Sequence, residues 1–357
     1  MRFGAAGATF ALGRCDWGSA RDDPERVYPV RTMDERALGT GGPRVSRIGL
    51  GLAAVGRPAY ITTGRAEDLA GDRTVETLRH RSHELLDAAA AAGVRYLDVA
   101  RSYGLAESFL GSWLDQLPPE ARLPVVGSKW GYTYVGAWRR DAEVNEVKDH
   151  SLAAFRRQVA ETRAILGTRL SLYQVHSATL ESGILEDRAV LGALASLRAE
   201  GVAVGLSVSG PRQADVVRRA LEVRVDGDNP FSVVQATWNL LEPSAGSALA
   251  EAHEAGWGVI VKEALANGRL ARRESCPVPV AAVAARRSVE PDAIAIAAAL
   301  SKPWADVVLS GAATVDQLHA NLAGLQVDLA ADELETLASC REPADAYWAA
   351  RSRLAWQ

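Results

Sequence analysis

Eight short apolar runs alternate with eight stretches of helical composition along most of this chain. Several runs are apolar almost throughout, as strands are when both faces of a parallel sheet are covered. This alternation predicts an α/β fold of the (β/α)8 TIM barrel type in a single domain. We predict strands at 48–52, 94–98, 124–129, 170–175, 203–207, 231–237, 258–262 and 306–309, and helices at 82–92, 106–117, 151–166, 188–200, 211–221, 244–255, 291–300 and 315–323.

A doubly wound open sheet has the same local pattern and is the alternative fold. Such a sheet would favour a G-x-G-x-x-G phosphate turn after a strand, but Gly49 and Gly51 are followed next by Gly56, which is the wrong spacing. The polar residues of interest also follow several different strands, as the rim of a barrel requires. Both observations favour the closed barrel.

The chain divides into three parts by composition. Residues 1–33 are predicted to be an irregular N-terminal extension, residues 34–340 the barrel, and residues 341–357 a C-terminal tail. Met33 directly precedes the first stretch of ordered composition, so we treat it as a candidate start of the native chain. The aromatic tail allows two interpretations: a packed terminus, or a segment that closes over a substrate.

Composition narrows the classes of partner. The net charge of −4 gives no electrostatic reason to expect nucleic acid or an anionic membrane as a partner, and no apolar run reaches membrane-spanning length. Three scattered cysteines, Cys15, Cys276 and Cys340, suit neither a disulfide framework nor a zinc site. We therefore expect no metal and a reducing, cytoplasmic location.

Four chemically different side chains lie at or just after successive predicted strand ends. Asp98 ends the second strand and Tyr103 follows it, Lys129 ends the third strand, and His176 follows the fourth. Only four of the 40 Lys and Arg residues are lysines, so an individual lysine is more informative here than usual. Because the carboxyl ends of barrel strands meet at one rim, we expect the four side chains to share a pocket.

These side chains suit the protonation of a carbonyl group. A phenol titrates at about pH 10 in water, and we expect the ammonium of Lys129 to lower the pKa of Tyr103. Asp98 would keep Lys129 charged, and a neutral His176 would donate a hydrogen bond to the carbonyl oxygen. Each residue alone also has a structural interpretation, such as a loop cap, core packing or a solvated strand end; their joint order favours a shared site.

The same residues carry a resemblance to a known family. From about Arg36 to Leu337 the chain resembles the aldo-keto reductases, which implies a (β/α)8 barrel and a nicotinamide cofactor, usually NADPH. It also implies hydride transfer to an aldehyde or ketone, or the reverse oxidation of an alcohol or sugar. The motifs are D-x(4)-Y-G-x-A-E-x-x-L-G from Asp98 to Gly111, Ser128-Lys129-Trp130-Gly131, Tyr173-Gln174-Val175-His176 and Gly205-Leu206-Ser207.

The resemblance also implies roles for individual residues. Tyr103 would be the proton donor, Lys129 with Asp98 would tune it, and His176 would orient the carbonyl. Ser207 and Gln235 would hold the carboxamide of the nicotinamide, and Asn321 would meet the adenine end. The full set of cofactor residues that it implies is Ser207, Gln235, Lys262, Gly311, Gln317 and Asn321.

The chain departs from the family pattern in the predicted cofactor site. Lys262 stands where a tyrosine often stacks on the nicotinamide; its amine is expected to approach the cofactor's phosphates, the alternative being a pair with Glu263 or solvent. Val208 replaces a common asparagine. Gln317 replaces a common arginine, and residues 310–314 include no basic residue. A 2′-phosphate would therefore lack a charge-assisted partner here, so we expect NADH as well as NADPH to be a possible cofactor.

Two other functions are compatible with the sequence. Val208 and Lys262 suggest a catalytically weak, nicotinamide-dinucleotide-binding regulatory protein on the same barrel. An unrelated barrel lyase or hydrolase would instead use Lys129, for example as a Schiff base. The substrate would be selected by loops after the strands, and 131–149, with its three aromatic residues, is the expected wall of the pocket.

Overall fold

A computed structural model of the chain describes residues 33–69, 71–272 and 274–357. The predicted extension at 1–33 lies, apart from Met33, outside the described residues. Within the described part, the strands are β1 Glu35–Ala37, β2 Arg44–Ser46, β3 Ile48–Gly51, β4 Tyr96–Asp98, β5 Val125–Trp130, β6 Tyr132–Tyr134, β7 Glu146–Lys148, β8 Leu170–Ala178, β9 Ala203–Val208, β10 Val233–Thr237, β11 Gly258–Lys262 and β12 Val307–Ser310. The α-helices are α1 Arg65–Asp68, α2 Val75–Ala91, α3 Ala106–Leu114, α4 Leu152–Leu166, α5 Arg188–Ala199, α6 Gln213–Glu222, α7 Gly246–Glu254, α8 Val278–Arg287, α9 Pro291–Leu300, α10 Val315–Leu322, α11 Ala331–Ala338 and α12 Ala344–Ser352.

Eight parallel strands close into a barrel in the chain order β3, β4, β5, β8, β9, β10, β11 and β12, and β12 pairs with β3. Each corresponds to one predicted strand, so the (β/α)8 TIM barrel is confirmed. Two pairings matter for the site: Gln235 on β10 lies opposite Ser207 on β9, and Lys262 on β11 lies opposite Thr237 on β10.

Local signals explain where the helices begin and end. The side chains of Thr74, Ser151 and Asp187 each accept a hydrogen bond from a backbone N–H in the first turn of α2, α4 and α5. Gly201 and Gly256 follow α5 and α7 with φ of 94° and 85°, and this left-handed backbone turns the chain into the next strand. These short turns return the chain to the amino end of the barrel after each helix.

The hairpin of β1 and β2 closes the amino end of the barrel. Its residues Leu38 and Val45 are buried in one cluster with Val233 and Val307, which begin barrel strands. Burying these apolar side chains together stabilises this end of the barrel by roughly 25 cal/mol per Å² of apolar surface removed from water. The functional side chains lie at the opposite, carboxyl-end rim.

Several elements differ from the sequence-based expectation. Helix α2 begins seven residues earlier than predicted, at Val75, because Thr74 caps it. The predicted loop 131–149 contains the antiparallel hairpin β6–β7, and the predicted tail 341–357 contains α12. Among the described residues no helix is long and apolar enough to cross a membrane, and no group of three His, Cys, Asp or Glu side chains could hold a metal ion.

Candidate active site

The four predicted catalytic side chains lie together at the carboxyl-end rim. Asp98 ends β4, Lys129 lies near the end of β5, His176 lies near the end of β8, and Tyr103 precedes α3. The Lys129 Nζ lies 3.3 Å from the Tyr103 Oη. The ring of Tyr103 packs edge-on against the His176 imidazole, with 5.6 Å between ring centres. The structure therefore brings the four residues into one cluster.

Lys129 is held in a single direction by three acceptors. Its ammonium donates to the Asp98 carboxylate, to the Val99 carbonyl at 3.1 Å and to the Tyr103 hydroxyl at 3.3 Å. The side chain is 1% exposed, and a buried ammonium is tolerated only when it is paired and hydrogen-bonded. The three hydrogens of the ammonium are thus all engaged, one of them on the phenol.

The carboxylate of Asp98 links Lys129 to two further buried side chains of the barrel strands. Its second carboxylate oxygen accepts a hydrogen bond from Gln235 Nε2 at 2.8 Å and from the Tyr96 hydroxyl at 3.3 Å. The same carboxylate carries the ion pair with Lys129. Hydrogen bonds on both oxygens fix the carboxylate and, through it, the ammonium.

The pKa of Tyr103 is raised well above its ordinary value, chiefly by burial and next by the negative charge of Asp98. This direction is opposite to the expectation that the ammonium of Lys129 would lower the pKa of Tyr103. The physical reason is that Asp98 compensates the charge of Lys129 in direct contact, whereas burial penalises the phenolate without compensation. The positive charge of Arg57 opposes the shift. In this state the phenol keeps its proton at neutral pH.

His176 is neutral in this environment. Its pKa is lowered well below its ordinary value, first by burial and then by the positive charges of Lys129, Lys262 and Arg57. Its Nδ1 lies 3.3 Å from the Ser102 hydroxyl. When that hydroxyl donates to Nδ1, the proton of the imidazole is on Nε2, where it can be donated to a carbonyl oxygen.

A buried glutamate that the sequence argument did not assign supports this arrangement. Glu107 is 2% exposed and accepts hydrogen bonds from Ser128 at 2.6 Å and Thr162 at 2.8 Å. It also pairs with Arg101. These bonds join α3 to the strand residue that precedes Lys129. The available signal was the position of Glu107 in the D-x(4)-Y-G-x-A-E string.

Arg57 is a second residue that the sequence argument missed. Its side chain is 2% exposed and donates to the Ser102 carbonyl at 2.7 Å and to Glu146 at 2.6 Å. Its guanidinium carbon lies 5.4 Å from the ring centre of Tyr103 and 4.7 Å from that of Trp356. Such distances are typical of cation–π contacts. No motif distinguishes this arginine in a chain rich in arginine.

The hairpin β6–β7 contacts the candidate site. Tyr132 packs edge-on against His176, with 5.1 Å between ring centres. Glu146 holds Arg57, and Lys148 donates to the Ser177 carbonyl at 2.9 Å. The loop predicted to line the pocket therefore contacts His176 through Tyr132 and Arg57 through Glu146.

The C-terminal segment is fastened to two rim loops. Arg351 of α12 donates to both carboxylate oxygens of Glu263, which follows β11. The backbone of Gln357 exchanges two hydrogen bonds of 3.0 Å with Tyr60, in the loop after β3. Tyr347 and Trp348 are buried. The helix of this segment therefore packs as a terminus does, and its last residue pairs with the loop after β3.

Ser207 and Gln235 are buried side by side on β9 and β10. The Ser207 hydroxyl oxygen accepts the backbone N–H of Ser177 at 2.8 Å, and its own proton can still be donated. Gln235 uses Nε2 on Asp98, so its Oε1 is the atom that can accept from a carboxamide NH2. One donor and one acceptor on neighbouring strands fit an amide group.

Lys262 ends β11, and its amine binds hydroxyl groups. It donates to Thr237 Oγ1 at 2.8 Å and to Ser209 Oγ at 3.2 Å. Burial lowers its pKa to about 8, although the charge of Glu263 opposes that shift. Glu263 is bound directly by Arg351, and the Thr237 hydroxyl that accepts from Lys262 donates to Glu263 at 3.3 Å, so that Lys262 and Glu263 are linked through this hydroxyl.

Gly311, Gln317 and Asn321 lie around the end of β12, two strands away from β4 in the barrel. Asn321 donates to Ser310 Oγ at 2.8 Å, while its Oδ1 is buried without a partner. A Cβ built at Gly311 would meet no atom within 4 Å. Gln317 turns back to accept the Ala313 N–H at 2.9 Å. The unsatisfied acceptor of Asn321 fits the polar edge of a nucleotide.

Comparison with known proteins places these features in a family context. The model of the aldo/keto reductase family matches residues 48–342. The aldo-keto reductase ausK of Emericella nidulans is 24% identical over 353 residues, covering 90% of this chain and 84% of that protein. The D-threo-aldose 1-dehydrogenase of a Pseudomonas species is 26% identical over 253 residues, covering 65% of this chain and 71% of that protein. The holo form of an aldo-keto reductase from Bacillus halodurans has a similar structure, with a TM-score of 0.66 at 22% identity, over 87% of this chain and 97% of the other.

Proposed function

Because the chain belongs to the aldo/keto reductase family, we propose that it reduces an aldehyde or ketone by hydride transfer from NAD(P)H, with Tyr103 as the proton donor. The observation that carries this proposal is the contact of Lys129 with both Asp98 and Tyr103 beside a neutral His176. The reverse reaction, oxidation of an alcohol or sugar, uses the same groups.

When bound, the nicotinamide supplies a hydride to the carbonyl carbon. His176 donates a hydrogen bond to the carbonyl oxygen and orients it, and Tyr103 gives its proton to that oxygen as negative charge develops. Lys129, 3.3 Å from the phenol oxygen, stabilises the phenolate that remains. Asp98 keeps the ammonium in place.

The residues present fit a dinucleotide along the ends of β9 to β12. Ser207 and Gln235 would hold the carboxamide, and Gly311 and Asn321 the adenine end, where Asn321 Oδ1 awaits a donor. Lys262 would lie between these two groups, and Gln317 would support the loop that contains Ala313.

We propose NADPH, the usual cofactor of the family, with NADH also accepted. The segment 310–322 has Asp316 and His319 as its ionisable side chains, and Gln317 is turned toward its own loop. A 2′-phosphate would therefore meet little positive charge from this segment.

We propose a small carbonyl compound or a sugar as the substrate and the cytoplasm as the location. The similarity to a D-threo-aldose 1-dehydrogenase supports a sugar among the candidates. Neither nucleic acid nor a membrane is proposed as a partner, since the net charge of −4 gives no reason for either.

The test is a cofactor titration followed by turnover on a panel of aldehydes, ketones and sugars. Quenching of protein fluorescence by NADPH or NADH, with oxidation of the nicotinamide on at least one carbonyl, supports the proposal. Cofactor binding without turnover across the panel would favour the regulatory alternative. Turnover without a nicotinamide would favour a barrel lyase or hydrolase.

A further inference from the structure

Lys262 reaches across the rim from one strand end to two others. Its amine hydrogen-bonds Thr237, its neighbour across the β10–β11 pairing, at 2.8 Å, and Ser209, which follows β9, at 3.2 Å. The aliphatic part of the side chain must therefore pass over the end of β10. This course places a primary amine above three consecutive barrel strands.

The amine lies on the rim side of the two residues proposed to hold the carboxamide. Thr237 follows Gln235 by two residues on β10, and side chains two residues apart on a strand share a face. Ser209 follows Ser207 by two residues in the chain. A nicotinamide held by Ser207 and Gln235 would have the Lys262 amine as a neighbour.

Lys262 is the surplus positive charge of this part of the rim. Glu263, next in the chain, is bound by Arg351 of α12, and Asp98 on β4 is bound by Lys129 on β5. Among the described residues, no carboxylate oxygen lies within 4.0 Å of the Lys262 amine.

The imidazole that faces Lys262 from β8 does not add a compensating charge. Burial and the surrounding cations, Lys262 among them, lower the pKa of His176 well below its ordinary value, so the ring is neutral. An additional positive charge placed here therefore meets the Lys262 ammonium, which reaches Glu263 only through the Thr237 hydroxyl, a donor to that carboxylate at 3.3 Å.

We propose that Lys262 makes this site bind the reduced nicotinamide, which is neutral, more tightly than the oxidised nicotinamide, whose ring is positively charged. This rests on the proposed function, which places the ring beside Ser207 and Gln235. When the hydride leaves with both electrons of its C–H bond, the ring becomes a cation next to Lys262. Repulsion between the two charges then favours release of the oxidised cofactor.

The discrimination depends on pH. Burial lowers the pKa of Lys262 to about 8. The negative charges of Glu263 and Asp98 oppose this shift, and the positive charges of Arg351 and Lys129 add to it. Below that pH the amine is charged and discriminates; above it the amine loses its proton and the two cofactor forms approach equal affinity. Two unit charges a few ångströms apart near a protein surface interact strongly enough for an effect of about tenfold.

The experiment measures dissociation constants for NADPH and NADP+ by fluorescence quenching, at about pH 6.5 and about pH 9.5, on either side of the Lys262 titration. Charges common to both cofactor forms, including the 2′-phosphate, cancel in the ratio of the two constants. In the wild type we expect the ratio of the NADP+ constant to the NADPH constant to be about tenfold larger at the lower pH than at the higher pH. In Lys262→Gln we expect this ratio to lack the increase of about tenfold, so that it is the same at both pH values.

Two further variants complete the design. Lys262→Arg keeps its charge at both pH values, so the preference should persist at the higher pH and show that the charge is responsible. Lys302→Gln, in the turn between α9 and β12, removes a positive charge that lies on the Trp238 ring and should behave as the wild type. Circular dichroism checks that each variant is folded.

The proposal is overturned if Lys262→Gln keeps the wild-type ratio and its pH dependence. It is also overturned if Lys262→Gln weakens both cofactor forms equally, because Lys262 would then anchor a phosphate. If the wild type binds neither form, the proposed function itself is wrong and this inference is wrong with it.

Discussion

The ammonium nitrogen of Lys129 lies 3.3 Å from the phenolic oxygen of Tyr103 and is held there by Asp98 and the Val99 carbonyl. The phenol keeps its proton because burial and Asp98 raise the pKa of Tyr103. The cation is thus in position before any negative charge exists on the phenol. It stabilises that charge when the proton is transferred, which is the moment when stabilisation lowers a barrier.

Replacing Tyr103 with Phe removes the proposed proton donor and leaves the ring. Turnover should fall by about 10²-fold to 10⁴-fold, the usual contribution of a positioned acid, while NADPH affinity changes little. Steady-state kinetics and fluorescence titration measure the two quantities. Tyr134→Phe on β6 serves as the control and should retain activity. Equal turnover in Tyr103→Phe and the wild type would remove Tyr103 from its role.

Replacing Asp98 with Asn leaves the Lys129 ammonium buried without a counter-ion. Both side chains of the pair are almost fully buried, and breaking a buried pair from one side costs about 3 to 5 kcal/mol. Urea unfolding should show a loss of this size. Asp141→Asn, whose side chain is 79% exposed, should change the unfolding free energy by less than about 0.5 kcal/mol. Similar losses in both variants would contradict the prediction.

Replacing Trp356 with Ala removes one of the rings that stack on Arg57. Since Arg57 also stacks on Tyr103, we expect kcat/KM to fall by about threefold to tenfold, which matches a cation–π contact of about 1 kcal/mol. NADPH affinity should be unchanged. Arg353→Ala, at an exposed position of the same segment, is the matched control. An unaltered kcat/KM in Trp356→Ala would show that the segment does not support the phenol.

The contribution of one aspartate in the first turn of α9 to stability should fall as the pH rises from about 4 to about 6. Burial raises the pKa of Asp292 to about 6, above its value of about 4 in an unfolded chain. The folded protein therefore binds this proton more tightly, and the stabilisation present below about pH 4 is lost as the pH rises through about 6.

The variant Asp292→Asn mimics the protonated side chain and tests this dependence. It should match the wild type at about pH 4 and be more stable at about pH 7, as measured by thermal unfolding across the range. Asp316→Asn, in the exposed first turn of α10, should show no gain at about pH 7. A constant difference between Asp292→Asn and the wild type at every pH would refute the prediction.

The sequence was informative where one physical rule dominates. All eight barrel strands were predicted because strands buried on both faces are continuous apolar runs. The meeting of Asp98, Lys129 and His176 followed from the geometry of a barrel, whose strand ends share one rim. The hairpin β6–β7 was missed because its strands are short and partly exposed, and so lack that pattern.

Other features depend on contacts that no local pattern records. Arg57 and Trp356 lie near opposite ends of the described chain, and nothing in either neighbourhood indicates that they stack. The sequence also could not predict the direction of the pKa shift of Tyr103, because that shift depends on how completely Asp98 compensates the charge of Lys129 and on how deeply the phenol is buried. Both are properties of the packed molecule.

One hairpin touches both the imidazole and the buried guanidinium, through Tyr132 on β6 and Glu146 on β7. It is inserted between β5 and α4 and belongs to neither the barrel wall nor its outer helices. Replacing the tip of this hairpin with that of a relative, while Tyr132 and Glu146 are kept, is therefore a way to alter substrate choice. Such an exchange leaves Tyr103 and the residues that hold it, Lys129 and Asp98, unchanged.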